Sequence, residues 1–459
     1  MNKRVLKLAI PNIISNITIP LLGMADIAVV GHIADASHQI GAIAIGGMIF
    51  SFIYMTLSFL RASSAGLTAQ AYGKNNKQEI QNVFIRASFL ALILASIIIL
   101  FQKPIEWIAF SILEGDPLVE SFALNYFKIR IWAAPATLLI YVFNGWFIGM
   151  QNAKIPMYIA VLANVFNIGL NYFFVFVLGM QAEGVAWGTL IAQYLSLLLA
   201  VVFMFKYYRG YLNNLQIRLS LQKRKILELL SLNRDLFIRS LTLIFVLSFF
   251  TASSAKISTD ILAVNALLLQ FFMFYSFFMD GFAYAAEALT GRYIGEQNLE
   301  NLKSSVKVTF LWGVAISLPF TMLYITVPDF ILGLLTNDSS IIELSHQYLL
   351  WIAIIPILTF ASFLWDGVYT GATAVKEIRN TMLISGFVIF LPIYYLLLPS
   401  MGNHALWLAF SLFMFSRGFW MTVWYKKAIL SKIISVKPEH NSPPELCAKQ
   451  SRSYIKELK

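Results

Sequence analysis

Residues 8–32 read LAIPNIISNITIPLLGMADIAVVGH. The segment is long and apolar enough to cross a bilayer as a helix, and Asp26 is its only ionisable residue before His32. A carboxylate within a spanning helix costs roughly 3 kcal/mol or more, so it usually faces a cavity and has a function. Asp26 is therefore the first candidate site residue. The alternative is a protonated carboxyl group that only packs between helices.

The composition indicates that the rest of the chain also lies in a membrane. Of the 459 residues, 59% are hydrophobic and 12% are charged, against about 25% charged residues in soluble domains, and the mean hydropathy is +0.72. The net charge of +11 then reflects membrane topology, not binding to nucleic acid. No cleavage site follows the first span, so we expect that span to remain. Cys447 is the only cysteine, which excludes a disulfide within the chain.

The pattern predicts an all-α polytopic membrane protein with twelve transmembrane helices in two six-helix lobes. We expect an N-lobe over 1–205, a cytoplasmic interlobe linker over 206–234, a C-lobe over 235–427 and a polar cytoplasmic tail over 428–459. Lys and Arg concentrate in alternate loops, so the positive-inside rule predicts that both termini are cytoplasmic. The predicted spans are 8–31, 42–72, 82–102, 124–151, 155–179, 184–206, 235–257, 260–291, 304–328, 344–372, 378–399 and 404–425.

The two lobes are predicted to be parallel repeats. One constant shift in residue number aligns Gly73 with Gly295 and Gly149 with Gly371. Because six spans separate the copies, both halves have the same orientation, related by a pseudo-twofold axis along the membrane normal. Two lobes related in this way are typical of transporters that work by alternating access.

Five polar residues of the N-lobe are expected at one level of the membrane. Asn167 and Asn171, four residues apart, share one face of span five. The other three are Asp26 in span one, Tyr126 near the start of span four and Thr189 in span six. For each residue alone, the alternative is a hydrogen bond that joins two helices.

A second group of charges lies deeper, towards the cytoplasm. Arg61 is on span two, Asp280 and Glu287 share one face of span eight, and Asp366 lies near the inner end of span ten. Spans two and eight are equivalent in the repeat, so we expect Arg61 to pair with an acid across the lobes and form a candidate inner gate. The alternative is pairing within each lobe or exposure to cytoplasmic water.

No enzyme motif is present in the sequence. It contains no Walker A loop, HExxH, GxSxG or paired CxxC, so nothing predicts nucleotide hydrolysis, a metal site, a cofactor or a catalytic residue. A wide cleft with aromatic side chains and one carboxylate would suit amphipathic organic cations.

Several segments resemble the multidrug and toxic compound extrusion (MATE) transporters, specifically the DinF-like branch. They include MADIAVVGHI, FLRASSAGLTAQAYG, YSFFMDGFAYAAEALTGRYIG and FLWDGVYTGA. The resemblance covers roughly residues 1–430 and implies a cation-coupled efflux pump with two lobes and a central cleft.

The resemblance also implies roles for individual residues. Asp26 matches the coupling carboxylate of the family, and Tyr126, Asn167 and Thr189 match its N-lobe pocket. Asn171 stands where the family has a second acid. That departure weakens a sodium site and leaves Asp26 as the obvious titratable group, so proton coupling is the simpler mechanism.

From these observations we expect a secondary antiporter of the inner membrane that exports amphipathic or cationic organic compounds by alternating access. The expected partners are a small organic substrate, a proton (sodium being the alternative) and the lipid bilayer, with no nucleic acid, and the protein is expected to be a monomer. One alternative is a flippase for lipid-linked oligosaccharide, which would need a larger cationic cavity. Others are a membrane-embedded lipid transferase and a membrane scaffold that transports nothing.

Overall fold

In the computed structural model, twelve helices among the described residues are long and apolar enough to cross a membrane. The structure describes residues 1–31, 35–112, 116–211 and 220–434. Each predicted span overlaps one of the twelve helices, so the predicted number and order of spans are confirmed. The helices are α1 (Asn2–Val30), α2 (Ala36–Gly73), α3 (Lys77–Leu100), α4 (Pro117–Gly149), α5 (Lys154–Val177), α6 (Ala182–Tyr211), α7 (Lys223–Ile257), α8 (Thr259–Gly295), α9 (Leu299–Thr326), α10 (Ser339–Gly371), α11 (Val375–Met401) and α12 (Asn403–Ile433).

The predicted lobe boundaries stay a prediction. Helix α7 begins at Lys223, inside the predicted linker. Residues 212–219 of that linker lie outside the described residues, as do His32 and the tail from 435 onward with Cys447. The structure adds two short helices that we did not expect, Gln102–Ile112 and Pro328–Leu335, and both expose large apolar side chains.

Helix α1 is continuous but contains two prolines on the N-terminal side of Asp26. Pro11 and Pro20 lie inside α1. Proline has no N–H, so Pro20 leaves the carbonyl of Asn16 without its helical donor. The segment with Asp26 follows Pro20, so it lacks one of the backbone hydrogen bonds that would join it to the first half of α1.

The internal repeat predicted from the sequence extends to the backbone. Asn75 and Gln297, which the same shift in residue number aligns, both have positive φ values (53° and 54°), and each follows the end of a central helix, α2 or α8. Asn76 and Asn298 then cap the next helix through their side-chain oxygens. The same turn therefore follows the second helix of each lobe, which confirms the parallel repeat.

Glycines bring α2 and α8 together on the repeat axis. A Cβ atom on Gly73 would lie 2.0 Å from the carbonyl oxygen of Arg292, and one on Gly295 would lie 2.2 Å from that of Gln70. Gln70 and Arg292 are themselves aligned by the shift that aligns the two glycines, so the two contacts are repeat-related. The two backbones approach this closely because neither glycine has a side chain.

Further hydrogen bonds join the lobes at the same, predicted cytoplasmic, end. Gln70 donates to the carbonyl oxygen of Gly371 (2.9 Å), Gln151 to that of Ala288 (2.8 Å), and Arg4 to the hydroxyl oxygen of Tyr293 (2.9 Å). In the conformation described here, the lobes are therefore packed together at this end.

Candidate functional site in the N-lobe

Four of the five polar residues predicted for the N-lobe form one hydrogen-bonded network. Asn171 donates through Nδ2 to Oδ1 of Asp26 (2.7 Å) and to Oδ1 of Asn167 (3.0 Å). Asn167 in turn donates to the hydroxyl oxygen of Thr189 (2.9 Å). Asp26 is 8% exposed, and Asn167, Asn171 and Thr189 are buried. The network therefore places a single carboxylate among neutral polar groups.

Local structure explains why these side chains meet. Asn167 and Asn171 lie one helical turn apart on α5, and the hydroxyl of Thr189 also donates to the carbonyl oxygen of Val185 one turn earlier on α6. Gly188 makes room for the contact, since a Cβ atom there would lie 2.1 Å from Oδ1 of Asn171. That oxygen is buried and has no hydrogen-bond partner.

Tyr126, the fifth predicted residue, lies beside the network and is not hydrogen-bonded to Asp26 in the structure. Its hydroxyl oxygen accepts a hydrogen bond from Arg130, and its ring lies against Gly46, where a Cβ atom would be 2.4 Å from the ring.

Arg130 is a site residue to which the sequence analysis gave no role. Its guanidinium lies over the rings of Phe50 (5.4 Å) and Tyr126 (5.6 Å) and interacts electrostatically with Asp26. Nε of Arg130 is buried without a partner. The signal that could have identified it is the spacing of Tyr126 and Arg130, four residues apart and so on one face of α4.

A cavity of about 410 Å³ lies between α1, α2, α4, α5 and α6, and its wall includes Arg130 but not Asp26, Asn167, Asn171 or Thr189. Arg130 and Arg61 lie on its wall, and Tyr284 of α8 contributes from the other lobe. Its wall also carries Oδ1 of Asn144, which is buried without a partner, and the hydroxyl groups of Tyr54 and Thr137, which lie close to each other. A ligand with a hydrogen-bonding group could satisfy the Asn144 oxygen.

The deeper charges form a second cluster, and Arg61 reaches across the lobes within it. Nη1 of Arg61 on α2 lies 3.1 Å from Oε2 of Glu287 on α8, and its guanidinium stacks over Tyr284 at 3.9 Å. Glu287 is 1% exposed. The structure therefore brings together the two residues that we expected to pair across the lobes.

Asp366 pairs within its own lobe, which was the alternative to a contact across the lobes. Its Oδ2 accepts hydrogen bonds from Arg239 of α7 (2.7 Å) and Arg417 of α12 (2.5 Å). Asp280 has no direct ion pair among the described residues, but it interacts electrostatically with Arg239, Arg61, Asp366 and Arg417. Neither Arg239 nor Arg417 was considered from the sequence.

Comparison with protein-family models identifies the fold family. The model described as MatE matches residues 11–173 and 236–396, which is more than half of the chain. The chain belongs to the MatE family. MATE proteins are multidrug efflux transporters and not enzymes, so the transferase alternative is wrong.

Individual MATE relatives cover nearly the whole chain. DNA damage-inducible protein F of Escherichia coli (strain K12) is 37% identical over 91% of this chain and 90% of its own length. A probable multidrug resistance protein NorM of Photorhabdus laumondii is 24% identical over 86% of this chain and 87% of its own. The chain is thus a multi-pass membrane transporter. Its similarity to the Escherichia coli protein suggests that the membrane is a bacterial inner membrane.

A solved structure supports the fold. It is described as an outward-facing conformation of a multidrug resistance MATE family transporter of the MOP superfamily. It matches with a TM-score of 0.84 at 19% identity, covering 94% of this chain and 96% of that one.

Proposed function

We propose that this protein is a proton-coupled antiporter that exports amphipathic organic compounds by alternating access, and that Asp26 is its coupling carboxylate. The observation that carries the proposal is the environment of Asp26: a nearly buried acid, without an ion pair among the described residues, in a network of neutral amides and a hydroxyl. Protonation can shift a conformational equilibrium when the two conformations bind the proton with different affinity.

The orientation of Asn171 favours a proton over sodium. A hard cation such as sodium is bound by several oxygen atoms, but Asn171 presents its nitrogen to Asp26. If the side-chain amide of Asn171 were turned over, its oxygen would face Asp26, but the hydrogen bond that its nitrogen donates to Oδ1 of Asn167 would be lost. The network therefore supports a carboxylate that exchanges a proton, with sodium as the alternative coupling ion.

Arg61 and Glu287 are the proposed inner gate. Their ion pair joins α2 of the N-lobe to α8 of the C-lobe, the two helices that the glycine contact also brings together. Separating the lobes at this end would leave a buried charge without its partner, which is costly. Asp280 and Asp366 are proposed to support this gate from the C-lobe, where they interact with its arginines.

The orientation and the substrate are also proposals. We place both termini in the cytoplasm and the monomeric protein in the inner membrane, which makes the packed end of the lobes the cytoplasmic one. The sequence led us to expect amphipathic or cationic substrates. The amphipathic part is supported by the mixed wall of the N-lobe cavity, which combines Ile140 and Ile159 with Tyr54 and Thr137.

One observation favours a flippase for lipid-linked oligosaccharide as the second candidate. The cavity has two guanidinium groups on its wall, Arg61 and Arg130, as a phosphate-carrying substrate would require. Against it, Arg61 is already paired with Glu287, and about 410 Å³ is small for an oligosaccharide.

Export from proteoliposomes with proton and sodium gradients imposed separately tests the proposal. We expect a proton gradient alone to drive uphill export by the wild type. Uphill export driven by a sodium gradient alone would show that sodium and not the proton is the coupling ion. Export of lipid-linked sugar without either gradient would favour the flippase.

A further inference from the structure

We propose that the two surface helices, Gln102–Ile112 and Pro328–Leu335, lie in the outer leaflet of the bilayer, along the boundary between headgroups and acyl chains. Lipid then covers their outward apolar faces, and each lobe has one such anchor. The proposal concerns how the lobes are held in the membrane, so it does not depend on which ion drives export. It rests on the proposed function only for the orientation that makes this leaflet the outer one.

Both surface helices lie at the same end of the molecule. Each links the third spanning helix of its lobe to the fourth, α3 to α4 in the N-lobe and α9 to α10 in the C-lobe. Helices α3 and α9 begin next to the glycine contact that packs the lobes together, at Lys77 and Leu299, and cross to the opposite end. The surface helices are therefore at the end opposite to that contact, which is the outer end in the proposed orientation.

The outward faces of the surface helices are apolar, and the internal repeat aligns them. The shift in residue number that relates the two lobes aligns Ile108 with Phe330 and Ile112 with Leu334. These four side chains are between 52% and 73% exposed. In each helix the two residues are four positions apart and so share one face. Exposed Trp107 extends this face on the first surface helix.

The inward faces pack on protein, and the repeat aligns them as well. Ala109 and Phe110 of the first surface helix pack against the buried apolar core. The same shift aligns them with Ile331 and Leu332, which pack into the core of the C-lobe. Each surface helix is thus held against its own lobe by one face, and the other face has no partner among the described residues.

The neighbouring residues indicate that lipid covers the free faces. The last residue of α3, Leu100, is exposed, and so is Phe101, the single residue between α3 and the first surface helix. Exposed Val327 stands in the same way between α9 and the second surface helix. The lipid-facing surface of the spans therefore continues into the surface helices without a loop between them. An apolar helix face at this position lies in the boundary region of the bilayer, and Trp is a residue typical of that depth.

The charges of the surface helices indicate that apolar area, and not attraction to anionic headgroups, holds them in the membrane. Lys103 pairs with Glu106 (3.1 Å), and these are the charged residues of the first surface helix. Asp329 is the charged residue of the second, and its Oδ1 lies 2.8 Å from Nε2 of His346. Because neither helix has an excess of basic residues, we expect their insertion to be independent of anionic lipid.

Spin labels on single cysteines test the proposal in the full-length protein. In a Cys447→Ser background, Ile108→Cys and Phe330→Cys each place one nitroxide on an outward face, and the protein is reconstituted into phosphatidylcholine liposomes. Power saturation then compares collisions with oxygen, which concentrates among the acyl chains, with collisions with a water-soluble nickel chelate. The matched controls are Lys103→Cys and Asp329→Cys, which are exposed polar positions of the same two helices.

We expect the labels on the outward faces to collide more often with oxygen than with the chelate, at a depth of about 5–10 Å into the boundary region. The control labels should lie nearer the water and collide more often with the chelate. The depths should not change when phosphatidylglycerol is added to the liposomes.

Three results would overturn the proposal. Frequent collisions of the outward labels with the chelate would show that these faces lie in water. Few collisions with either reagent would show that protein covers them, for example a second copy of this chain. Collisions with oxygen that appear only when phosphatidylglycerol is present would show that charge, and not apolar area, holds the helices in the membrane.

Discussion

The glycine contact between α2 and α8 gives a sharp test of whether the lobes close at the proposed cytoplasmic end. In Gly73→Ala, the new methyl carbon would lie 2.0 Å from the carbonyl oxygen of Arg292 in the other lobe. To restore ordinary contact the two backbones must separate by about 1 Å or more, and overpacking of this kind costs about 1–3 kcal/mol. The cost applies only while the lobes are packed at this end, so it shifts the equilibrium towards inward opening by about 5- to 150-fold.

The assay is thiol labelling from the cytoplasmic side. Because Cys447 is the only cysteine, a Cys447→Ser background with Gln70→Cys carries a single probe in the interface, where Gln70 contacts Gly371 of the other lobe. We expect Gly73→Ala in this background to increase the labelling rate markedly.

The matched control lies within the C-lobe. In Gly367→Ala the methyl carbon would also lie 2.0 Å from a carbonyl oxygen, that of Ala283 on α8. The steric conflict is the same, but both residues belong to one lobe, so general destabilisation should occur without faster labelling. Equal labelling in the two variants, or no change in Gly73→Ala, would refute closure of the lobes at this end.

Three further predictions concern the network and the ion pair. Asn171→Asp should move the pH profile of export towards higher pH or add sodium dependence, because adjacent carboxylates resist ionising together, and unchanged profiles would count against the network. Arg61→Ala should increase cytoplasmic labelling in the same assay, and the exchange Arg61→Glu with Glu287→Arg should restore the wild-type rate; failure of this rescue would exclude a specific pair. Gly188→Ala should lower the free energy of unfolding by about 1–3 kcal/mol because the new methyl group overpacks the site, and the melting temperature should fall. Gly169→Ala, which has no neighbouring atom within 4 Å, should not lower the melting temperature.

The sequence predicted the fold well because its determinants are local. Long apolar helices, basic loops and a constant offset between matching residues of the two halves are visible without any tertiary structure. The offset even extends to the turns at Asn75 and Gln297. The two surface helices, such as Gln102–Ile112, were missed because they are too short to give a spanning signal.

The candidate site was only partly predictable, since charge partners depend on tertiary contacts. Asp26 was recognisable as a lone acid in an apolar helix. The spacing of Arg130 from Tyr126 was visible, but its contact with Phe50 of α2 was not, because that contact depends on how the helices pack. The pairing of Asp366 with Arg239 and Arg417 could not be derived either, because it requires α7, α10 and α12 to meet.

The most direct test of the central claim is Asp26→Asn in proteoliposomes with an imposed pH gradient. The amide keeps the shape of the side chain and its place beside Asn171 while removing the titratable group. We predict that the variant still inserts, binds substrate and equilibrates it across the membrane, but no longer exports it uphill. Uphill export by Asp26→Asn at a rate near that of the wild type would contradict the assignment of Asp26 as the coupling site.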